Sequence, residues 1–161
     1  MARARPIAGL SESDPYAATA AKVIAVRAAE LREHAAGVLD VSDIERVHDM
    51  RVATRRLRAA LEVFEPCFPR KRLRAALREV KAIADALGER RDRDVHINAM
   101  EQFAGAMSAP DRPGIESLIS RLRREQADAN EALARFVTDD HLAALGERLA
   151  ELAGEAEAAA G

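Results

Sequence analysis

Along VHDMRVATRRLRAAL, residues 47–61, His48, Arg51, Arg55 and Arg58 recur at spacings of three, four and three. At about 100° per residue, that spacing lays one imidazole and three guanidiniums along a single stripe of a helix. The stripe is about 15 Å long at about 1.5 Å per residue. Arginine offers a permanently charged fork of donors, and histidine a charge that switches near neutral pH. Such a stripe suits a polyanion. Arg56 is expected to point off the stripe. Lys71, Arg74, Arg78 and Lys81 repeat the same spacing further on, and Asp85 continues that line as a carboxylate that could buffer its end.

The ordinary explanation for such arginines is a solvated helix face, helped by carboxylates four residues away. Arg58 with Glu62, and Arg78 beside Glu79, fit it. Two features argue against it for the stripes as a whole. Between positions 48 and 58 no carboxylate shares the face, and two consecutive helices carry matching stripes. Charge is also segregated along the chain. Residues 46–96 hold 14 Lys/Arg and 8 Asp/Glu, a net of +6, while the other positions hold 11 and 19, a net of −8, which recovers the chain's −2. Like charges so concentrated repel one another, and a polyanion relieves the repulsion.

Catalysis fits these residues less well. Phosphoryl transfer needs carboxylates that hold a metal, or a positioned nucleophile. Asp92 and Asp94 are the nearest acidic pair, but they alternate with arginines and suit ion pairs better. No glycine-rich phosphate loop or nucleophile motif is present. Cys67, between Pro66 and Pro69, reads as a packing thiol, and His34, His96 and His141 have no metal-ligand grouping. The expectation is a binding module and not an enzyme, with no catalytic residue, metal or cofactor.

The elements that carry the stripes follow from composition and punctuation. Alanine, leucine, arginine and glutamate favour helix, and no alternating strand pattern appears, so the class is all-α. A length of 161 residues suits one domain with a real core. Asp14-Pro15 predicts a helix start, with that helix running to about Gly37. Ser42-Asp43-Ile44-Glu45 has the form of a capping box opening the second helix, which Pro66 and Pro69 end. A third helix is expected from about Arg70 to Leu87, stopped by Gly88, and a fourth from about Arg90 to Gly105. Residues 105–114 read as a linker, a fifth helix reaches about Val137, and Thr138 caps a sixth that ends near Gly154. The core faces would be Val47, Met50, Thr54, Leu57, Leu61 and Phe64, then Leu73, Leu77, Val80, Ala84 and Leu87. The result is an antiparallel bundle of about six helices over 13–154, between a flexible lead-in (1–12) and a flexible tail (155–161).

A single cysteine cannot form an internal disulfide, which suits a reducing compartment. The first ten residues lack the apolar run of a signal peptide, and no stretch approaches the ~18 apolar residues of a membrane span. A cytoplasmic location and no membrane partner are expected.

Two linked motifs then carry a resemblance. VHDMRVATRRLRAAL at 47–61, with LGERRDRDV at 87–95, resembles the CHAD family, the conserved histidine α-helical domain. The second segment fits the family's pattern L-G-x-x-R-D-x-D-V, and motifs and intervening helix cover about residues 42–104. The resemblance implies a helical domain that binds inorganic polyphosphate through a basic surface. Members occur alone or fused to triphosphate-tunnel enzymes, and some associate with polyphosphate granules. Carried over by position, His48, Arg51, Arg55 and Arg58 would contact the ligand from the second helix. Arg74, Arg78 and Lys81 would face it from the third, with Lys71 as a further mobile charge. Arg91 would bind the ligand or orient a helix, and Asp92 would orient a helix. The chain departs from the family in one respect. Family domains usually have two related bundles, each with its own basic helix, and this chain has about half that length and one such helix. Two molecules pairing as a homodimer would rebuild the two-bundle groove.

Nucleic acid is the weaker polyanion. Single-strand binders offer aromatic stacking platforms. Phe64 is expected on a core face, Phe68 in a turn, Phe103 and Phe136 at packing positions, and Tyr16 far from the basic zone. Contact with a nucleic-acid backbone alone, and docking of an acidic protein surface, remain as alternatives. A bound polyanion favours the charged form of histidine, so His48 predicts tighter binding at mildly acid pH.

Overall fold

The computed structural model describes residues 3–160. Among them are five α-helices: α1 (Tyr16–Ala35), α2 (Ile44–Val63), α3 (Arg70–Ala106), α4 (Arg112–Ala134) and α5 (Asp139–Ala160). Single 3₁₀ turns at Glu65–Cys67 and Ala109–Asp111 complete the regular structure, and the described residues contain no strand. The all-α class holds, but the helix count is five, because the expected third and fourth helices are one helix of 37 residues.

Gly88 does not stop α3. Its backbone is not left-handed, unlike that of Gly9 (φ 70°) and Gly37 (φ 71°). The buried stripe runs straight through it: Leu73, Ala76, Val80, Ile83, Leu87, Arg90, Asp94 and Ile97 follow at alternating steps of three and four. Arg90 and Asp94 look like surface residues, yet both are fully buried and pair with each other at 2.9 Å. A paired cation and anion therefore continue a core face that the apolar pattern alone would end at Leu87. The core face is also rotated slightly from expectation. Ala76 and Ile83 are buried, whereas Leu77 and Ala84 sit at its half-buried edge.

The α2 face agrees closely with its pattern. Val47, Met50, Thr54, Leu57 and Leu61 are buried, joined by Ala53 and Ala60. Thr54 is tolerated there because its hydroxyl donates to the Met50 carbonyl at 2.8 Å. Phe64 packs at the edge of the core, with Tyr16 tilted against it at 5.0 Å.

Two helix starts differ in their caps. Asp14 does not cap α1; it accepts from Lys22 at 2.8 Å and from the Ser11 N–H at 3.1 Å. The capping box does not form either, since Ser42 turns back and donates its hydroxyl to Asp40 at 2.7 Å. Thr138 does cap α5, accepting from the His141 N–H at 3.2 Å. The α5 helix then continues to Ala160, with Ala156 fully buried. Gly37 is required by its joint. Its φ is 71°, and a Cβ there would meet Arg46 Nη1 at 2.6 Å.

The register of side-chain contacts sets the packing. Arg91 of α3 reaches the Ile44 carbonyl that opens α2, while residues 64–69 join the other ends of the two helices. Helices α2 and α3 are thus antiparallel. Helices α4 and α5 run one after the other against α3. Arg90 meets Asn130 on α4, and Glu79 and Arg72 meet Arg148 and Glu155 on α5. The first half of α3 therefore closes an antiparallel four-helix bundle with α1, α2 and α5. The second half forms a hairpin with α4 that extends past the start of α2 by about 20 Å, at about 1.5 Å per residue.

Candidate functional site

The stripe on α2 opens onto a groove of about 370 Å³ between α2 and α3. His48, Arg51, Arg55 and Arg58 all line it, with Val52, Thr54 and Arg56 from the same helix and Ala84 and Asp85 from α3. The core stripe of α2 turns Leu57 and Leu61 inward, which leaves the neighbouring face to present these side chains at the groove. Arg51, Arg55 and Arg58 are exposed, and His48 is half-buried. Arg51 and Arg55 make no ion pair among the described residues, whereas Arg58 donates through Nε to Glu62 at 2.8 Å.

The α3 residues divide. Lys81 does not itself line the groove but pairs with Asp85, which does, its Nζ 2.6 Å from Asp85 Oδ2. Lys71, Arg74 and Arg78 are exposed and continue the line toward the α2–α3 joint, beyond the groove itself. Among the described residues they make no ion pair. Glu79, next to Arg78 in sequence, is engaged instead by Arg148 and lies 3.4 Å from His141. Arg91 lies outside the groove. Its Nη1 donates to the Ile44 carbonyl at 3.0 Å, and Glu45 lies 3.5 Å away, so it ties α3 to the start of α2. Asp92 is exposed and has no hydrogen bond or ion pair among the described residues, so the structure gives it no orienting contact.

Arg56 is the residue that spacing misplaced. It lines the groove, and its charge also acts on Glu30 of α1. Burial opposes ionisation of Glu30. The Arg5 backbone N–H, the Arg27 guanidinium (2.6 Å) and the nearby Arg56 charge outweigh it, and hold the carboxyl below its usual range. The signal was present in α1, because Glu30 falls beside Leu31 on the buried face, where a carboxylate needs cations.

A second buried cluster lies further along α3. Arg90 donates to Asp94 and to Asn130, Gln126 donates to Asp94 at 2.6 Å, and Asn130 donates to the Leu39 carbonyl at 3.0 Å. This network ties α3, α4 and the α1–α2 joint together at the end of the groove that holds His48. Apart from the His48 imidazole, no aromatic ring lines the groove. Phe103 is 56% exposed, contrary to its expected packing position, and Tyr16 is also exposed, but neither lines the groove. Elsewhere, Arg121, Arg123 and Arg148 each lie near a carboxylate, and Arg121 lines a smaller pocket with Arg124.

Fold and groove together define a class: a helical bundle that presents a row of cations between two adjacent helices. A family model, the CHAD domain, matches residues 22–161. The match takes in nearly the whole chain, so the chain belongs to the CHAD domain family. It reaches well beyond the two motifs, into α1, α4 and α5. No curated protein matches the chain in a direct comparison. No helix of the described residues is long and apolar enough to cross a membrane.

Proposed function

We propose that the chain is a binding module for inorganic polyphosphate and does not catalyse a reaction. The observation that carries this reading is the single groove lined by His48, Arg51, Arg55 and Arg58, in a member of the CHAD domain family. The polyphosphate lies along the α2 stripe and continues over Arg78, Arg74 and Lys71, with Lys81 at the crossing. Arginine forks bind non-bridging oxygens, and the lysines act as mobile point charges. Selection rests on charge density, since no Phe or Tyr ring lines the groove as a stacking platform for successive bases.

Calorimetric titration with long-chain polyphosphate at two salt concentrations, with sulfate as control, tests the proposal. Tight, salt-sensitive binding to polyphosphate and none to sulfate is the expected result. No binding at low salt would sink it. Competition with duplex DNA separates a general backbone binder from a polyphosphate binder. Pairing of two copies belongs to the same proposal and is read by sedimentation, where a monomer with full affinity would dismiss it. Association with polyphosphate granules in the cytoplasm would follow from the binding.

A further inference from the structure

Two cations of the stripes have anionic partners of their own. Lys81 Nζ is 2.6 Å from Asp85 Oδ2, and Arg58 Nε is 2.8 Å from Glu62 Oε1. The two carboxylates differ in place. Asp85 is itself part of the groove wall, opposite the α2 stripe, whereas Glu62 does not line the groove. Both pairs put the cation four residues before the acid, the less favourable order on a helix. The Lys81 and Asp85 side chains are 59% and 64% exposed, so water and salt weaken their contact. A pair held this loosely exchanges readily for a better anion.

We propose that Asp85 is a built-in competitor for the groove's ligand. It neutralises Lys81 while the groove is empty and gives it up when phosphates enter. Its own charge stays in the wall, so the ligand binds against a fixed repulsion. Asp85 thereby lowers affinity for every anion, and only one dense enough in charge to engage the unpaired Arg51 and Arg55 overcomes it. This rests on the polyphosphate reading of the same groove.

The test compares wild type, Asp85→Asn and Glu62→Gln in titrations with long-chain polyphosphate, with and without magnesium. Asp85 is exposed, so circular dichroism of the variant should match that of the wild type. Asp85→Asn is expected to tighten binding about three- to fivefold, the scale of an exposed ion pair. It should also steepen the salt slope by about 0.7, because Lys81 then neutralises one phosphate without first leaving a carboxylate. Glu62→Gln should tighten binding less. Unchanged or weaker binding by Asp85→Asn, with the wild type still binding, would overturn the competitor role alone. Weaker binding confined to magnesium-containing buffer would overturn it in favour of a metal bridge between Asp85 and phosphate, since magnesium often joins one carboxylate to phosphates. Absence of binding by the wild type and both variants would overturn this proposal together with the polyphosphate reading.

Discussion

At the scale of single residues, the groove separates side chains that bind from side chains that hold the fold. Arg51 and Arg55 are exposed, line the groove and make no ion pair among the described residues. Replacing both with alanine should lower polyphosphate affinity at least about tenfold, on the scale of charge-assisted hydrogen bonds. Helical circular dichroism should stay unchanged, because neither side chain reaches the core. Normal binding by that variant would remove the stripe from the site. Glu30 behaves in the opposite way. Its carboxyl is held below its usual range by Arg5, Arg27 and Arg56, so the folded value lies under the unfolded one. The pairing therefore adds stability in full above the ordinary carboxylate range, and that stability is lost as pH falls through the depressed folded value. Glu30→Gln should destabilise the protein by about 3 kcal/mol near neutral pH, as expected when one partner of a buried pair is removed. Urea denaturation near neutral pH and again below about pH 4 should show the gap between the two proteins closing in acid.

At the scale of elements, α3 decides the architecture. It faces α2 across the groove with one half and carries α4 on the other. Gly88 is a weak point inside this helix, with no atom within 4 Å of an added Cβ. Gly88→Ala should therefore stabilise the protein by about 0.5–1 kcal/mol, read as a rise in Tm. The buried Arg90–Asp94 pair gives a sharper test of whether one helix or two spans residues 70–106. Arg90→Met leaves the Asp94 carboxylate buried without its guanidinium and should cost about 3–5 kcal/mol in urea denaturation. The double change Arg90→Met with Asp94→Leu should recover much of that loss. If Arg90→Met alone had little effect, the pair would not be the device that carries the core stripe past Leu87.

For the whole molecule, the segregation of charge matters more than its sum. A net charge of −2 would suggest no affinity for polyanions, yet the groove collects cations on one side of the bundle. If six to eight phosphates are neutralised, the logarithm of affinity should fall with the logarithm of salt at a slope of roughly −4 to −6, taking about 0.7 per phosphate. Titrations at several salt concentrations measure it. A slope of only about −3, the value for about four groove cations alone, would mean that the α3 residues past the groove do not take part.

What the sequence determined by itself was local: the helical class, the α2 core face, and the row of His48, Arg51, Arg55 and Arg58. These follow from the helical period, which fixes which side chains share a face once a helix forms. It also sufficed for the family, because the residues at 47–61 and 87–95 belong to short motifs. What only the tertiary structure decided was whatever depends on a partner from another element. Gly88 looks like a stop until Arg90 and Asp94 are seen as a buried pair, and Arg56 looks stray until Glu30 of α1 lies near it. Arg91 meets the Ile44 carbonyl on α2, so its place was not readable from α3 alone. The physical reason is common to all three: a charged residue is solvated or buried according to what packs against it, and hydropathy along one helix does not contain that information.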